Sequence, residues 1–472
     1  MRLNIFNDSA ASPRRPLVLA SIVSRTARVL GTAAFLLLAG CGGSGGGGNA
    51  TPLLDPCTQQ GQKLSVITAM EDLYFWNDEP EQDQKYVNLV TSDYADTDEL
   101  LDFLRYQPDE FDRNFTRVVP IEEDEQFFGP GQFVGYGFSF FMESVTNEVT
   151  ITQAFAGSPA AAAGFARGTR ILEVDGRTID DIEAAEGIGE AFGASEEGVT
   201  QTFLLRPPGE LPFFTTATKA VVTIDPVPQY KVIDAGGLKL GYIEFRSFVS
   251  TAAAKLAEAF ATFAAAGVTR VIVDVRYNGG GLVNLADQFA SLLAGPGNVG
   301  MVASHTRYNS ANAGLDRMTT FTAQPNSIDL DAIVFITTED SASATELVIN
   351  SLEPYVDVAL AGARTFGKPV GQNGVDFCDQ RLRLVSFETV NVNEFGSYFD
   401  GLPVDCPAED NLSLPVGDEF EDSLATALTR IITGACPIIS KPGGAQLTSF
   451  DRERIRARTR GDSAAREFSY AY

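Results

Sequence analysis

The stretch Val271-Ile272-Val273-Asp274-Val275-Arg276-Tyr277-Asn278-Gly279-Gly280-Gly281 decides the fold. Val271–Val275 is an apolar run broken only by Asp274, the composition of a strand buried on both faces. The glycines that follow let the chain turn, and a helical pattern resumes near Leu282–Leu293. Working outward, Leu238–Phe245 reads as a strand and Ala252–Ala266 as an alanine-rich helix stopped at Gly267. Ala332–Thr337 reads as a strand, Ala344–Leu352 as a helix and Val356–Ala361 as a strand. Such alternation over about 230–435 specifies a mainly parallel sheet covered by helices.

Three segments follow predicted strands and so converge on the carboxyl edge of that sheet, where sites form in such folds. The first is the glycine turn, whose backbone N–H groups can face a developing oxyanion. The second is Ser341-Ala342-Ser343-Ala344-Thr345-Glu346, which sets Ser343 at a helix N-terminus, where unpaired N–H groups and the dipole favour negative charge. The third is Phe366-Gly367-Lys368, with Gln372 four residues later. The chain has a single histidine, His305, flanked by Ser304, Thr306 and Arg307, with no motif around it and no acid in sequence to orient it. A lysine can replace histidine as the base for a serine when burial lowers its pKa. The pattern points to a Ser/Lys hydrolase. No serine stands three residues before a lysine, which excludes the Ser-x-x-Lys arrangement.

Residues 55–125 carry helical spacing in Leu64, Ile67, Met70 and Leu73-Tyr74 and again in Leu100, Leu101 and Leu104, the signature of a small helical N-terminal domain. Tyr74, Phe75 and Trp76 are core residues in this reading. From 130 to 227 the chain shows Gly135-Tyr136-Gly137-Phe138 and an alternating Phe138, Phe140, Met142. Gly157-Ser158-Pro159-Ala160 and Val174-Asp175-Gly176 follow. This block resembles a PDZ domain. The resemblance implies that the Gly135–Phe138 loop receives a peptide's terminal carboxylate while the next strand pairs with the peptide backbone.

A formal charge of −27 excludes nucleic acid as a partner, since phosphate binding needs clustered cations. Arginines at 14, 15, 25 and 28 precede an apolar run, Val29–Ala39, that is too short to cross a bilayer but suits a signal peptide over 1–40. It ends Leu38-Ala39-Gly40-Cys41, which resembles a bacterial lipobox and implies lipidation of Cys41. Residues 41–54 form a glycine-rich tether. The expected location is the bacterial cell envelope, lipid-anchored through Cys41 and facing the periplasm. Cys57, Cys378, Cys406 and Cys436 then remain for disulfides. Of the three pairings, Cys378 with Cys406 and Cys57 with Cys436 is the one expected. No Cys-x-x-Cys or histidine cluster suggests a metal, and no cofactor is expected. The arginine-rich segment 437–472 reads as a disordered tail.

In this order, the helical region, the PDZ-like block and the Ser343–Lys368 segments resemble the C-terminal processing peptidases, tail-specific serine proteases. The resemblance implies an α/β catalytic domain at 230–435 with a crotonase/ClpP-like sheet. It also implies Ser343 as nucleophile, Lys368 as general base, Gln372 as its orienter, and an oxyanion hole from Ala344 with Gly280 or Gly281, Gly280 being favoured. Substrates would be proteins with exposed C-termini, with or without an adaptor. Pro369 replaces the family's usual glycine, and Thr345 replaces a non-catalytic serine. The competing expectation is an inactive, tail-binding scaffold lipoprotein.

Overall fold

The computed structural model describes residues 55–437 apart from 88, 108–110 and 144. The signal, tether and Cys41 readings lie outside the described residues, as does the tail reading except for Pro437.

The apolar run folds as expected. Strand Arg270–Asp274 lies in a six-stranded sheet, between Leu238–Glu244 and Ala332–Thr337, with parallel pairing on both sides. Asp357–Gly362 and the short Cys406–Pro407 extend it in parallel on one side, and Gln229–Ala235 closes the other edge antiparallel. Alternation along Arg270–Asp274 divides its side chains between two cores. Val271 and Val273 join the helices Ala252–Ala266, Val283–Ala294 and Ala344–Leu352 on one face, while Ile272 faces the helix Asp422–Thr433 on the other. The alanine-rich helix stops at Gly267, whose φ of +72° is the left-handed cap that glycine adopts without strain.

A second, antiparallel sheet joins Arg117–Pro120, Gln380–Val390, Val302–Tyr308 and Arg317–Thr320, with Val370–Phe377 paired as a hairpin to Gln380–Val390. The N-terminal helices Gln59–Leu73, Pro80–Val87 and Thr97–Leu104 form as expected, but they keep no core to themselves. Val66, Met70, Tyr74, Trp76, Leu100 and Leu104 share one core with Phe366, Val370, Phe377, Leu382 and Leu384 of the hairpin region.

The 130–227 block has its own core, in which Phe138, Ile151, Ile171 and Phe203 are all but fully buried. Its antiparallel sheet runs Phe138–Glu143, Glu148–Ala154, Arg170–Val174, Thr200–Arg206, Phe213–Thr218. Asp175 and Gly176, at φ +50° and +77°, make the two-residue turn into Arg177–Thr178.

The disulfides correct the expected pairing: Cys57 joins Cys378, and Cys406 joins Cys436. Cys378 sits in the tight turn of the hairpin, between the paired Phe377 and Gln380, and the N-terminal helix packs on that hairpin with Cys57 just before its start. Cys436 follows the helix Asp422–Thr433, which lies against Cys406 in the sheet core. Packing of helices on strands chose the partners.

Candidate active site

Ser343 stands at the N-cap position of the helix Ala344–Leu352, but its φ of +56° and ψ of −114° are not those of an ordinary cap. A non-glycine residue at this conformation is strained, and such strain gathers at functional sites. Three contacts stitch the serine segment to the glycine turn: Ala342 N–H to Asn278 O at 3.0 Å, Thr345 Oγ1 to Asn278 O at 3.0 Å, and Ser341 Oγ to Val275 O at 2.8 Å. The approach requires glycine. A Cβ at Gly280, where φ is +106°, would lie 2.8 Å from Ser343 Cβ and 2.9 Å from Ala344 N. Thr345, the departure noted in sequence, thus ties helix to turn.

Lys368 arrives from the other side and is 3% exposed. Its Nζ donates to Gln372 Oε1 at 2.9 Å and lies 4.9 Å from the centre of the Phe115 ring. Gln372 is fixed in turn, because its Nε2 donates to Phe115 O at 2.6 Å. Pro369 leaves these bonds in place; its carbonyl accepts the Thr389 N–H at 3.1 Å.

Glu346 is the group that joins the two segments, and it is completely buried. Its Oε2 accepts the N–H of Ser343 at 2.9 Å and of Lys368 at 2.8 Å, while Oε1 accepts Gly367 N–H at 2.7 Å and Thr365 Oγ1 at 2.5 Å. Two N–H groups sharing one oxygen are held within about 6 Å of each other. Burial pushes the Glu346 carboxyl above its ordinary range, and the four donors pull it back part of the way. The Ser-x-x-Glu spacing of a capping box could have singled out this residue. Phe115, 257 positions from Gln372, has no such signal.

The oxyanion candidates differ. Gly280 N–H is taken by Asn278 Oδ1 at 3.0 Å. The N–H groups of Gly281 and Ala344 find no acceptor among the described residues, and Gly281 and Ser343 line one cleft of about 400 Å³ with Gln372. Behind the turn, Arg276 donates to Asp274 Oδ1 at 2.9 Å and Glu421 Oε2 at 2.8 Å in the interior, and to the half-buried Asp410 Oδ1 at 2.8 Å. Asp274 and Arg276 brace the turn, as their place in the motif suggests. Arg167 of the 130–227 block reaches the same cluster, donating to Tyr277 OH at 2.7 Å.

His305 lies on the antiparallel sheet with Nδ1 3.6 Å from Glu394 Oε1, an acid the local sequence did not reveal, and is not among the residues lining the cleft. Gly135, Tyr136, Gly137 and Phe138 are buried together at the start of the strand Phe138–Glu143. Tyr136 O accepts from Ala160 N–H at 2.8 Å and Gly137 O from Phe155 N–H at 2.9 Å. Among the described residues no group of three or more His, Cys, Asp or Glu side chains is placed to hold a metal.

A helix-covered parallel sheet with a serine elbow, a glycine turn and a buried lysine at its edge defines a peptidase-type α/β domain, and residues 239–394 match the model of peptidase family S41. The match covers about a third of the chain. Its relatives include the carboxyl-terminal-processing protease of Synechocystis, 26% identical over 270 residues (57% of this chain and 61% of that protein). Another is the chloroplastic C-terminal processing peptidase of Tetradesmus obliquus, 28% identical over 267 residues (53% and 55%). The matches thus span little more than half the length of these relatives. In fold, the chain is similar to a Bacteroides fragilis protein described as an S41 protease, with a TM-score of 0.63, 23% identity, and coverage of 78% of this chain and 97% of that one. It is also similar to the photosystem II D1 C-terminal processing protease, with a TM-score of 0.50, 21% identity, and coverage of 75% and 93%.

Proposed function

We propose that this protein is a serine-type endopeptidase that cleaves protein chains near their C-termini. The observation that carries the reading is the Glu346 carboxylate, which clamps Ser343 and Lys368 side by side while Gln372 holds the lysine amine. Ser343 Oγ attacks the scissile carbonyl as its proton passes to the neutral amine of Lys368. The resulting ammonium gives the proton to the departing amine, and water, deprotonated by the same lysine, releases the acyl group. Burial of the lysine favours the neutral form that this step needs. The N–H groups of Gly281 and Ala344 suit the oxyanion, each worth about 3 kcal/mol of transition-state stabilisation. The engagement of Gly280 N–H by Asn278 argues for Gly281 as the glycine donor.

The PDZ reading is supported by the strand Phe138–Glu143, which among the described residues pairs on one side only and leaves an edge for a peptide strand. Names of relatives that process carboxyl termini agree with a tail-reading module. The lipobox-like end at Cys41 supports a lipid-anchored envelope location. Pro369 is the one local feature that favours the scaffold alternative, and the lysine turn accommodates that proline.

The test is cleavage of a folded protein carrying an unstructured C-terminal tail. Wild-type protein should cut the tail, and Ser343→Ala should stop cleavage without changing the circular dichroism spectrum. Cleavage retained in Ser343→Ala would dismiss the reading.

A further inference from the structure

We propose that Asp287 forms the floor of a cation-accepting subsite beside Ser343, giving the peptidase proposed above, on which this inference rests, a preference for a lysine or arginine side chain next to the scissile bond. Asp287 lies on the helix Val283–Ala294, one turn beyond the glycine turn, and shares a face with Asn284 three residues before it. Both line the cleft that holds Ser343, and Asp287 is the only carboxylate in that lining.

Its carboxylate has no hydrogen bond or ion pair with any described residue. The cleft's two cations are otherwise disposed. Arg383 is committed to Asp124, with Nε to Oδ1 at 2.7 Å, and Arg317 is exposed and makes no ion pair with Asp287. Burial pushes the Asp287 carboxyl up to about 6, with Arg317 countering only in part. An unpartnered, half-buried carboxylate works against folding, so a cleft that keeps one is suited to a partner brought by the substrate. Leu282, Val283 and Phe387 supply apolar wall for the methylene stem of a lysine. The net charge of −27 draws cationic segments towards the molecule.

Cleavage-site profiling of a proteome-derived peptide library with the full-length protein tests the assignment. Wild-type should enrich Lys and Arg about tenfold or more over norleucine-sized residues at one position within two residues of the cut, the worth of one desolvated charge pair. Asp287→Asn should bring that enrichment to within about twofold, and Asp287→Lys should favour Glu or Asp there. Thermal unfolding of both variants establishes that they are folded. Enrichment unchanged in Asp287→Asn, with cleavage still lost in Ser343→Ala, overturns the subsite and leaves the peptidase reading standing. Absence of any Ser343-dependent cleavage overturns both.

Discussion

Replacing Glu346 by glutamine probes the clamp that assembles the site. The carboxylate accepts four donors, two on each oxygen. Glutamine offers one oxygen and an NH2 group, so in either orientation two of the four donors lose their carboxylate oxygen, and only the Thr365 hydroxyl can turn to accept from the NH2 instead. Each lost charge-assisted bond costs about 1.5–3 kcal/mol, which sets the gross loss at about 3–6 kcal/mol. An amide is easier to bury than a carboxylate, and that returns part of the loss. A net destabilisation of about 2–4 kcal/mol follows. The catalytic effect should exceed the loss of stability, because the NH2 group faces either the N–H groups of Ser343 and Lys368 or the N–H of Gly367, the residue before the lysine, so the strain reaches the serine or the lysine in both orientations. Displacement of either by about 1 Å costs roughly 100-fold in rate. The assay pairs urea unfolding with kcat on a tailed substrate under conditions where the variant is folded. A Glu346→Gln protein with wild-type midpoint and kcat would refute the clamp.

Other perturbations have separate readouts. Gly280→Ala sets a Cβ 2.8 Å from Ser343 Cβ at φ +106° and should cost about 1–3 kcal/mol together with most of the activity, measured by unfolding and turnover. Normal activity would mean that the turn does not press on the serine. Asp287→Asn should stabilise the protein at pH 7.5. The folded carboxyl, near 6 against 3.8, is disfavoured in its charged form by up to about 3 kcal/mol, which partial exposure reduces to about 1–2 kcal/mol. That penalty is full above pH 6 and gone below the unfolded pKa, so the gain should fade by about pH 4; a gain constant with pH would contradict the cause. Removing Cys57–Cys378 by paired serine substitutions should cost about 3–5 kcal/mol in the unit shared by the N-terminal helices and the lysine hairpin, read as early loss of hydrogen-exchange protection there. Unchanged protection would show that packing alone holds that unit.

Much of the fold is local information. Ala252–Ala266, Ala332–Thr337 and Ala344–Leu352 have the bounds read from periodicity, because each combines a consistent pattern with its own start or stop signal. The segments bearing Ser343 and Lys368 were legible because both follow a strand of the parallel sheet. What escaped depends on contacts distant in sequence. The Cys57–Cys378 link spans 321 positions, and the carbonyl and ring of Phe115 reach the lysine region only after Arg117–Pro120 has joined the second sheet. Glu346 was visible within its motif, but its part in the site appears only when Gly367 and Lys368 are brought to it. Asp287 reads as an ordinary polar position on an amphipathic helix until the cleft is closed opposite it.

Lys368 acts as the base in the proposed reaction, and one measurement addresses that directly: kcat for tail cleavage by Lys368→Arg beside Lys368→Met. Arginine keeps the charge and the donors but cannot give up its proton, and methionine keeps the apolar stem alone. Both should be folded and at least about 1,000-fold slower than wild type. A Lys368→Arg protein that cleaves at a rate near wild type would contradict the account.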